Sequence, residues 1–203
     1  MFEDKDSRLK DFADLWIETY GKDNLDLVLR NKDFIAYLNE GGFFTAPAST
    51  KYHGAYEGGL YDHSRIVFLR LRDLTECNGL KWQRQESPFI IGMFHDLCKC
   101  DQYNKVQGIM ADLGNGDQIM MSPESFHYEY NTNTLLKGHG DKSVMILSQF
   151  IKLTEEEMLC IRYHMGAYEK DDWQFFDAAI RKTDGLVLWA HHADQLASKI
   201  DNI

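Results

Sequence analysis

The sequence predicts an all-α fold with one small β-hairpin excursion, and two observations support this prediction. Apolar residues recur three and four positions apart over most of the 203 residues, and residue types that begin or end helices flank these stretches. The exception is the region 101–138, where a glycine-rich turn lies between two short apolar pairs. A chain of this length can bury one substantial core, so we expect a single domain over residues 1–203.

The first 45 residues are expected to form N-terminal helices. Helical periodicity connects Leu9 to Tyr20 through Phe12, Leu15 and Trp16. A second periodic segment contains Leu25, Val28 and Leu29, then Phe34, Ile35 and Leu38, and it ends at Gly41-Gly42. A loop with Pro47 and several glycines follows, and we expect the main core of the domain over residues 50–200.

Two helices of this core have recognisable beginnings. Asp62 is placed to be the N-cap of a helix that extends to about Glu76. Ser87-Pro88 combines an N-cap residue with proline at the first helical position. The helix that it begins is expected to end near Leu97 and so carries His95-Asp96 at its C-terminal end.

The rest of the chain contains the hairpin and three more helices. Gly114 to Asp117 is predicted to be a turn that pairs Ile109-Met110 with Ile119-Met120. Helical periodicity resumes at Ser143, and the run Thr154 to Glu157 fits a capping box for a helix that reaches His164. The last helix is expected over residues 186–200 and carries Asp194.

Charge and composition limit the classes of function. The formal net charge is −10, which argues against an extended nucleic-acid surface because such surfaces need basic residues to neutralise phosphates. No apolar run approaches the ~20 residues of a membrane helix, and the charged N-terminus lacks the apolar stretch of a secretory signal. The four cysteines have no Cys-x-x-Cys spacing, and we interpret Cys98 and Cys100 as packing residues. We therefore expect a cytoplasmic protein.

Six histidine and aspartate side chains have the composition of a two-metal hydrolytic site. An adjacent imidazole and carboxylate are costly to bury unless something charged engages both, and His95-Asp96 follows an apolar helical run. Helical bundles assemble metal sites from such side chains on several helices. Each of these residues alone would be interpreted as an ordinary helix-end or surface residue, so the prediction depends on the whole set: His63, His95, Asp96, His139, His164 and Asp194.

These residues, in this order, resemble the HD-domain metal-dependent phosphohydrolases. The family pattern is a histidine, a His-Asp pair, further histidines and a late aspartate. Two flanking blocks also look like the branch that includes certain 3′→5′ exoribonucleases: Gly58 to Ser64 (GGLYDHS) and His95 to Lys99 (HDLCK). The resemblance covers about residues 50–200. It departs from the family at Cys98, where a glycine is usual, and we expect no separate nucleic-acid-binding barrel before the domain.

The resemblance implies a ligand set and a mechanism. His63, His95, Asp96 and Asp194 would hold a first divalent metal, and Asp96 would bridge to a second metal held by His139 and His164. A metal-bound hydroxide would attack a phosphodiester in a nucleotide or short oligonucleotide. Lys99 would offset the developing charge or protonate the leaving oxygen, so Asp96 and Lys99 are the expected catalytic residues. The ligand types suit Mn, Fe, Zn, Co, Ni or Mg and do not identify the metal.

Three further residues are candidates for contact with a small phosphorylated substrate: His53, Tyr103 and Lys105. Two other functions remain open at this point. The chain could be a mononuclear-metal 5′-nucleotidase acting on monophosphates, with His139 and His164 contacting phosphate in place of a second ion. It could also be a catalytically silent nucleotide-binding sensor that uses the same pocket.

Overall fold

The computed structural model describes residues 2–21, 32–108, 110–112, 118–120, 122–168 and 172–203. The predicted turn at 114–117, the apolar residues between 25 and 29, and Ile109 lie outside this set. The described part is mostly helical, which confirms the predicted class. Its eight α-helices are α1 (Lys5–Tyr20), α2 (Lys32–Glu40), α3 (Gly59–Asn78), α4 (Ser87–Phe94), α5 (Gly140–Leu147), α6 (Glu155–Arg162), α7 (Trp173–Lys182) and α8 (Leu186–Leu196).

Four short strands form the hairpin excursion between α4 and α5. The inner pair, β2 (Met110–Asp112) and β3 (Gln118–Met120), is antiparallel with Met110 opposite Met120, as the sequence predicts. The outer pair was not predicted: β1 (Tyr103–Gln107) lies antiparallel to β4 (Phe126–Tyr130), with Tyr103 opposite Tyr130. This outer pair attaches the hairpin to the short 3₁₀ helix Leu97–Asp101 that follows α4.

The first helix packs its apolar side into the main core. Asp4 caps α1 by accepting a hydrogen bond of 2.8 Å from the Ser7 main-chain N–H, and Phe12, Leu15 and Trp16 are buried. Arg8 is also buried and forms an ion pair with Asp62 in α3, with 2.8 Å between Nε and Oδ1. This pair fixes α1 against the beginning of α3.

The beginning of α3 differs from the prediction. Gly58 is the N-cap, with a φ of 83°, and it lies four residues before the expected cap at Asp62. The Asp62 carboxylate does not cap the helix because it accepts hydrogen bonds from Arg8 and from the Tyr56 hydroxyl, the latter at 3.0 Å. The helix continues to Asn78, two residues beyond the expected end.

The ends of three other helices also depart from the sequence pattern. Helix α4 begins at Ser87 with Glu86 at the N-cap, because the Ser87 hydroxyl donates to Glu157 instead of capping. It ends at Phe94, so His95-Asp96 lies just beyond the helix. The capping box between Thr154 and Glu157 is confirmed, but α6 ends at Arg162. Helix α8 ends at Leu196, and a π-helical turn, Ala197–Asp201, follows it directly. Among the described helices, none is long and apolar enough to cross a membrane.

Candidate metal centre

All six predicted metal ligands meet at one buried centre. They come from five segments: the second turn of α3, the residues after α4, the N-cap of α5, the residues after α6, and the last turn of α8. Five of the six side chains are almost fully buried, and His139 is half-buried. The six residues are His63, His95, Asp96, His139, His164 and Asp194.

The two oxygens of Asp96 face different histidines. Oδ1 lies 2.9 Å from Nε2 of His139 and 3.5 Å from Nε2 of His164. Oδ2 lies 3.4 Å from Nε2 of His95 and 3.8 Å from Nε2 of His63. Asp194 joins the second group, with its Oδ1 at 3.1 Å from Nε2 of His63. The centre therefore has two halves that share the Asp96 carboxylate.

Three of the histidine rings are oriented by main-chain oxygens. Nδ1 of His95 lies 2.9 Å from the Gly92 carbonyl oxygen, and Nδ1 of His164 lies 2.7 Å from that of Ile161. Nδ1 of His63 lies 2.8 Å from the main-chain oxygen of Ile203. Because a carbonyl oxygen can only accept, each Nδ1 carries a proton, and in the neutral ring the Nε2 lone pair faces the centre. This is the tautomer in which metal-binding histidines are usually held.

The centre leaves buried polar atoms without hydrogen bonds. Nε2 of His63, His95 and His164 has no hydrogen-bond partner among the described residues. Buried polar atoms without partners are costly, and metal cations in the two halves of the centre would engage them. Three overlapping groups have ligand atoms within 4.8 Å of one another: His63, His95 and Asp194; His95, Asp96 and His164; Asp96, Cys98 and His139. The donor set therefore fits a metal ion.

Lys99 is the buried cation of the centre, and its Nζ lies 2.6 Å from Oδ2 of Asp96. Burial raises the pKa of Asp96, but the charges of Lys99, His95 and His139 outweigh it and hold this pKa well below its ordinary value. Burial likewise lowers the pKa of His139, but the Asp96 carboxylate more than offsets this effect and raises it to about 10. In the metal-free protein His139 and Asp96 therefore form an ion pair.

Two close approaches between main chains bring the ligands together. A Cβ on Gly92 would lie 2.3 Å from Cα of Phe68, so α4 contacts α3 where no side chain fits between them. A Cβ on Gly140 would lie 2.2 Å from the Arg162 carbonyl oxygen, so α5 begins against the end of α6. This second contact places the rings of His139 and His164 5.0 Å apart. Gly140 therefore serves the contact between the two helices.

A cavity of about 400 Å³ opens onto the centre. Asp96, Lys99, His139 and Asp194 line it, together with two of the three predicted substrate residues, His53 and Tyr103. Burial lowers the pKa of His53 to about 4, so this ring is neutral at pH 7. It lies beside His63, with 4.9 Å between the ring centroids.

The third predicted substrate residue, Lys105, lies outside this cavity. It follows Tyr103 by two residues on the same strand, and its exposed ammonium pairs with Glu57 at 2.8 Å. His127 also lies apart from the centre: its Nδ1 lies 2.6 Å from the Gly108 carbonyl oxygen and its Nε2 lies 2.8 Å from Glu129.

Several contributors to the site were not predicted from the sequence. Cys98 was interpreted as packing, but its Sγ lies 3.5 Å from Nδ1 of His139. Tyr130 reaches the cavity only because β4 pairs with β1, which no local pattern revealed. His191 lies behind one of the ligands, with its Nδ1 2.7 Å from the main-chain oxygen of His164. For Cys98, its position two residues after Asp96 was the one sequence feature that indicated a place near the ligands.

No family model, curated protein or solved structure matches the chain. The fold and the site thus define a mostly helical protein with a buried cluster of histidines and aspartates that could hold a metal ion.

Proposed function

We propose that the chain is a metal-dependent phosphohydrolase of the HD-domain superfamily that acts on phosphodiesters in nucleotides or short oligonucleotides. One observation carries the proposal: the Nε2 atoms of four histidines converge with two carboxylates at the base of a cavity, and main-chain oxygens orient three of the rings. A cluster that only stabilised the fold would be expected to satisfy these atoms internally.

The division of the ligands supports two ions rather than one. His63, His95 and Asp194 would hold one ion, His139 and His164 the other, and Asp96 offers one oxygen to each group. Divalent cations in such a site polarise phosphoryl oxygens and lower the pKa of water toward neutrality. Mixed imidazole and carboxylate ligands suit Mn, Fe, Zn, Co or Ni better than Mg.

The chain's own residues supply the other requirements of phosphoester hydrolysis. Lys99 places a buried ammonium on the cavity lining, where it can offset charge on the phosphoryl oxygens or give a proton to the leaving oxygen. The neutral ring of His53 can exchange hydrogen bonds with the substrate on the same lining. The buried positions of Asp96 and His164 exclude bulk water from the base of the cavity.

A one-metal nucleotidase that acts on monophosphates is the second candidate, and His139 is the residue that favours it. Its raised pKa gives it a positive charge at neutral pH, and it lines the cavity. In that case His139 and His164 would contact the phosphate directly, and the one ion would be held by His63, His95, Asp96 and Asp194.

The test is the metal content per chain, measured by elemental mass spectrometry on protein purified without chelators, together with phosphodiester hydrolysis. We expect two equivalents of metal, and we expect Asp96→Asn to lose both metal and activity. Asp14→Asn, an exposed change on α1, is the control and should alter neither. One equivalent together with hydrolysis of monoesters alone would support the nucleotidase. No metal, even after incubation with manganese or iron, would contradict both hydrolytic proposals.

A further inference from the structure

One wall of the cavity is aromatic, and the hairpin provides it. Tyr103 of β1 and Tyr130 of β4 are directly opposite in the antiparallel register, and their ring centroids lie 5.3 Å apart. Both residues line the cavity. Tyr130 is 65% exposed, so its ring contributes little to the core of the protein. An exposed aromatic pair beside a buried polar centre is a candidate surface for a flat apolar group.

A free hydrogen-bond acceptor lies next to this pair. Gln102 also lines the cavity, and its Nε2 approaches the Tyr103 hydroxyl at 3.4 Å. Its Oε1 is buried and accepts no hydrogen bond from the residues that the structure describes. A ligand that stacks on the tyrosines and carries an N–H donor at its edge would engage this oxygen. Nucleobases have both properties.

The size and charge of the cavity favour one nucleotide over a long strand. About 400 Å³ lies within the usual range of small-molecule sites. Lys99 and Lys199 on the lining provide positive charge for a phosphate, whereas the whole chain has a net charge of −10. The cross-strand pairing already restrains both rings, so less side-chain entropy is lost when a ligand binds.

We propose that Tyr103 and Tyr130 bind the base of a nucleoside phosphate and that they make the site selective for nucleotides over phosphoesters of a sugar or alkyl group alone. This inference rests on the proposed function and adds to it the residues that recognise the base. Stacking depends on the ring face, so Tyr130→Phe keeps the selectivity. Tyr130→Ala removes it.

The test is calorimetric binding to the manganese-loaded protein, with the non-hydrolysable phosphonate analogues of AMP and of ribose 5-phosphate as probes. We expect the AMP analogue to bind more tightly. Tyr130→Ala should weaken its binding about tenfold and change that of the ribose analogue less than about twofold. Phe126→Ala is the matched control, because Phe126 lies on the same strand, is similarly exposed and does not line the cavity.

The outcomes separate this inference from the proposed function. Equal affinity of the wild-type protein for both analogues, or equal weakening of both by Tyr130→Ala, would overturn base recognition while hydrolysis of phosphoesters continued. An effect of Phe126→Ala as large as that of Tyr130→Ala would also overturn it, because the loss would then come from the hairpin as a whole. Binding of neither analogue, with no hydrolysis, would overturn both proposals.

Discussion

The Lys99 ammonium and the Asp96 carboxylate form a buried ion pair, with Nζ 2.6 Å from Oδ2. The other oxygen of the same carboxylate faces His139 and His164. The Asp96 carboxylate thus contacts the Lys99 ammonium and also faces the place proposed for the metal ions. Because like charges repel strongly in a buried environment, Lys99 and a divalent cation would compete for Oδ2.

This competition predicts that Lys99→Gln lowers kcat without lowering the metal content. Loss of one charge-stabilising donor typically costs about 100-fold in kcat, whereas removal of a competing cation leaves the ligands intact or strengthens them. The measurement is kcat together with metal equivalents per chain. Lys105→Gln, outside the cavity, should keep kcat within about twofold. Loss of metal in Lys99→Gln would show that Lys99 supports the ligands instead.

The ion pair between Arg8 and Asp62 is predicted to be a major contributor to stability. Both side chains are buried, so Arg8→Met leaves an uncompensated carboxylate and should lower the free energy of unfolding by about 3–5 kcal/mol. Arg72→Met is the matched control, because the exposed pair of Arg72 with Glu18 also joins α3 to α1. It should cost less than about 1 kcal/mol in urea unfolding. An equal loss of unfolding free energy in Arg8→Met and Arg72→Met would mean that solvent reaches the ion pair between Arg8 and Asp62.

Loss of charge at two neighbouring glutamates of α6, Glu156 and Glu157, should change the Tm in opposite directions. Burial raises the pKa of Glu156, the Gln83 main-chain N–H opposes this effect, and the charge of Glu157 adds to it. When folding raises the pKa of a carboxyl group, the free energy of unfolding of the protein falls as the pH rises through that pKa. Glu156→Gln should therefore raise the Tm at pH 7.5 and leave it unchanged near pH 3.5, where both forms are neutral.

Glu157→Gln serves as the comparison at the next position. Its carboxylate accepts hydrogen bonds from Arg84, from the Ser87 hydroxyl at 2.8 Å and from the Thr154 main-chain N–H at 2.9 Å. Loss of this charge should lower the Tm at pH 7.5. A lower Tm in Glu156→Gln at the same pH would show that Glu156 also depends on its charge.

Gly92→Ala should disturb both stability and the metal centre. The added methyl group would overlap Phe68 of α3 and force the helices apart, at a cost of about 3 kcal/mol or more. Because His63 lies on α3 and His95 follows α4, we also expect weaker manganese binding. Gly79→Ala strains the end of α3 without a clash, so it should cost about 1 kcal/mol and leave manganese binding unchanged. Urea unfolding and metal titration measure the two effects.

The parts of the fold that local chemistry determines were predictable. The capping box at Thr154 and the pairing of Met110 with Met120 depend on residues close in sequence. The beginning of α3 was not predictable in the same way. Asp62 would cap a helix in isolation, but Arg8, 54 positions away, engages its carboxylate. The end of α4 before His95 was likewise missed, because the packing around the centre decides it.

The composition of the candidate centre was predictable, but its surroundings were not. The six ligand candidates meet as the order of residues suggested. Tyr130 enters the cavity through strand pairing across 27 positions, and the partner of His63 is a main-chain oxygen 140 positions away. Side-chain patterns contain no information about such contacts. Lys105 has the charge expected of a phosphate contact, but its position farther along β1 places it beside Glu57.

The acceptors that orient His95 and His164 are carbonyl oxygens at the ends of α4 and α6, three residues before each ring. A carbonyl is present whatever amino acid occupies position 92 or 161, so no substitution there can delete the acceptor itself. Only a change that displaces the helix end can turn the ring. Position 92 is such a case, because any side chain there would collide with Phe68 and move the end of α4. The alignment of the two imidazoles is therefore sensitive to where the helices end and not to the chemistry of the side chains that surround the carbonyls.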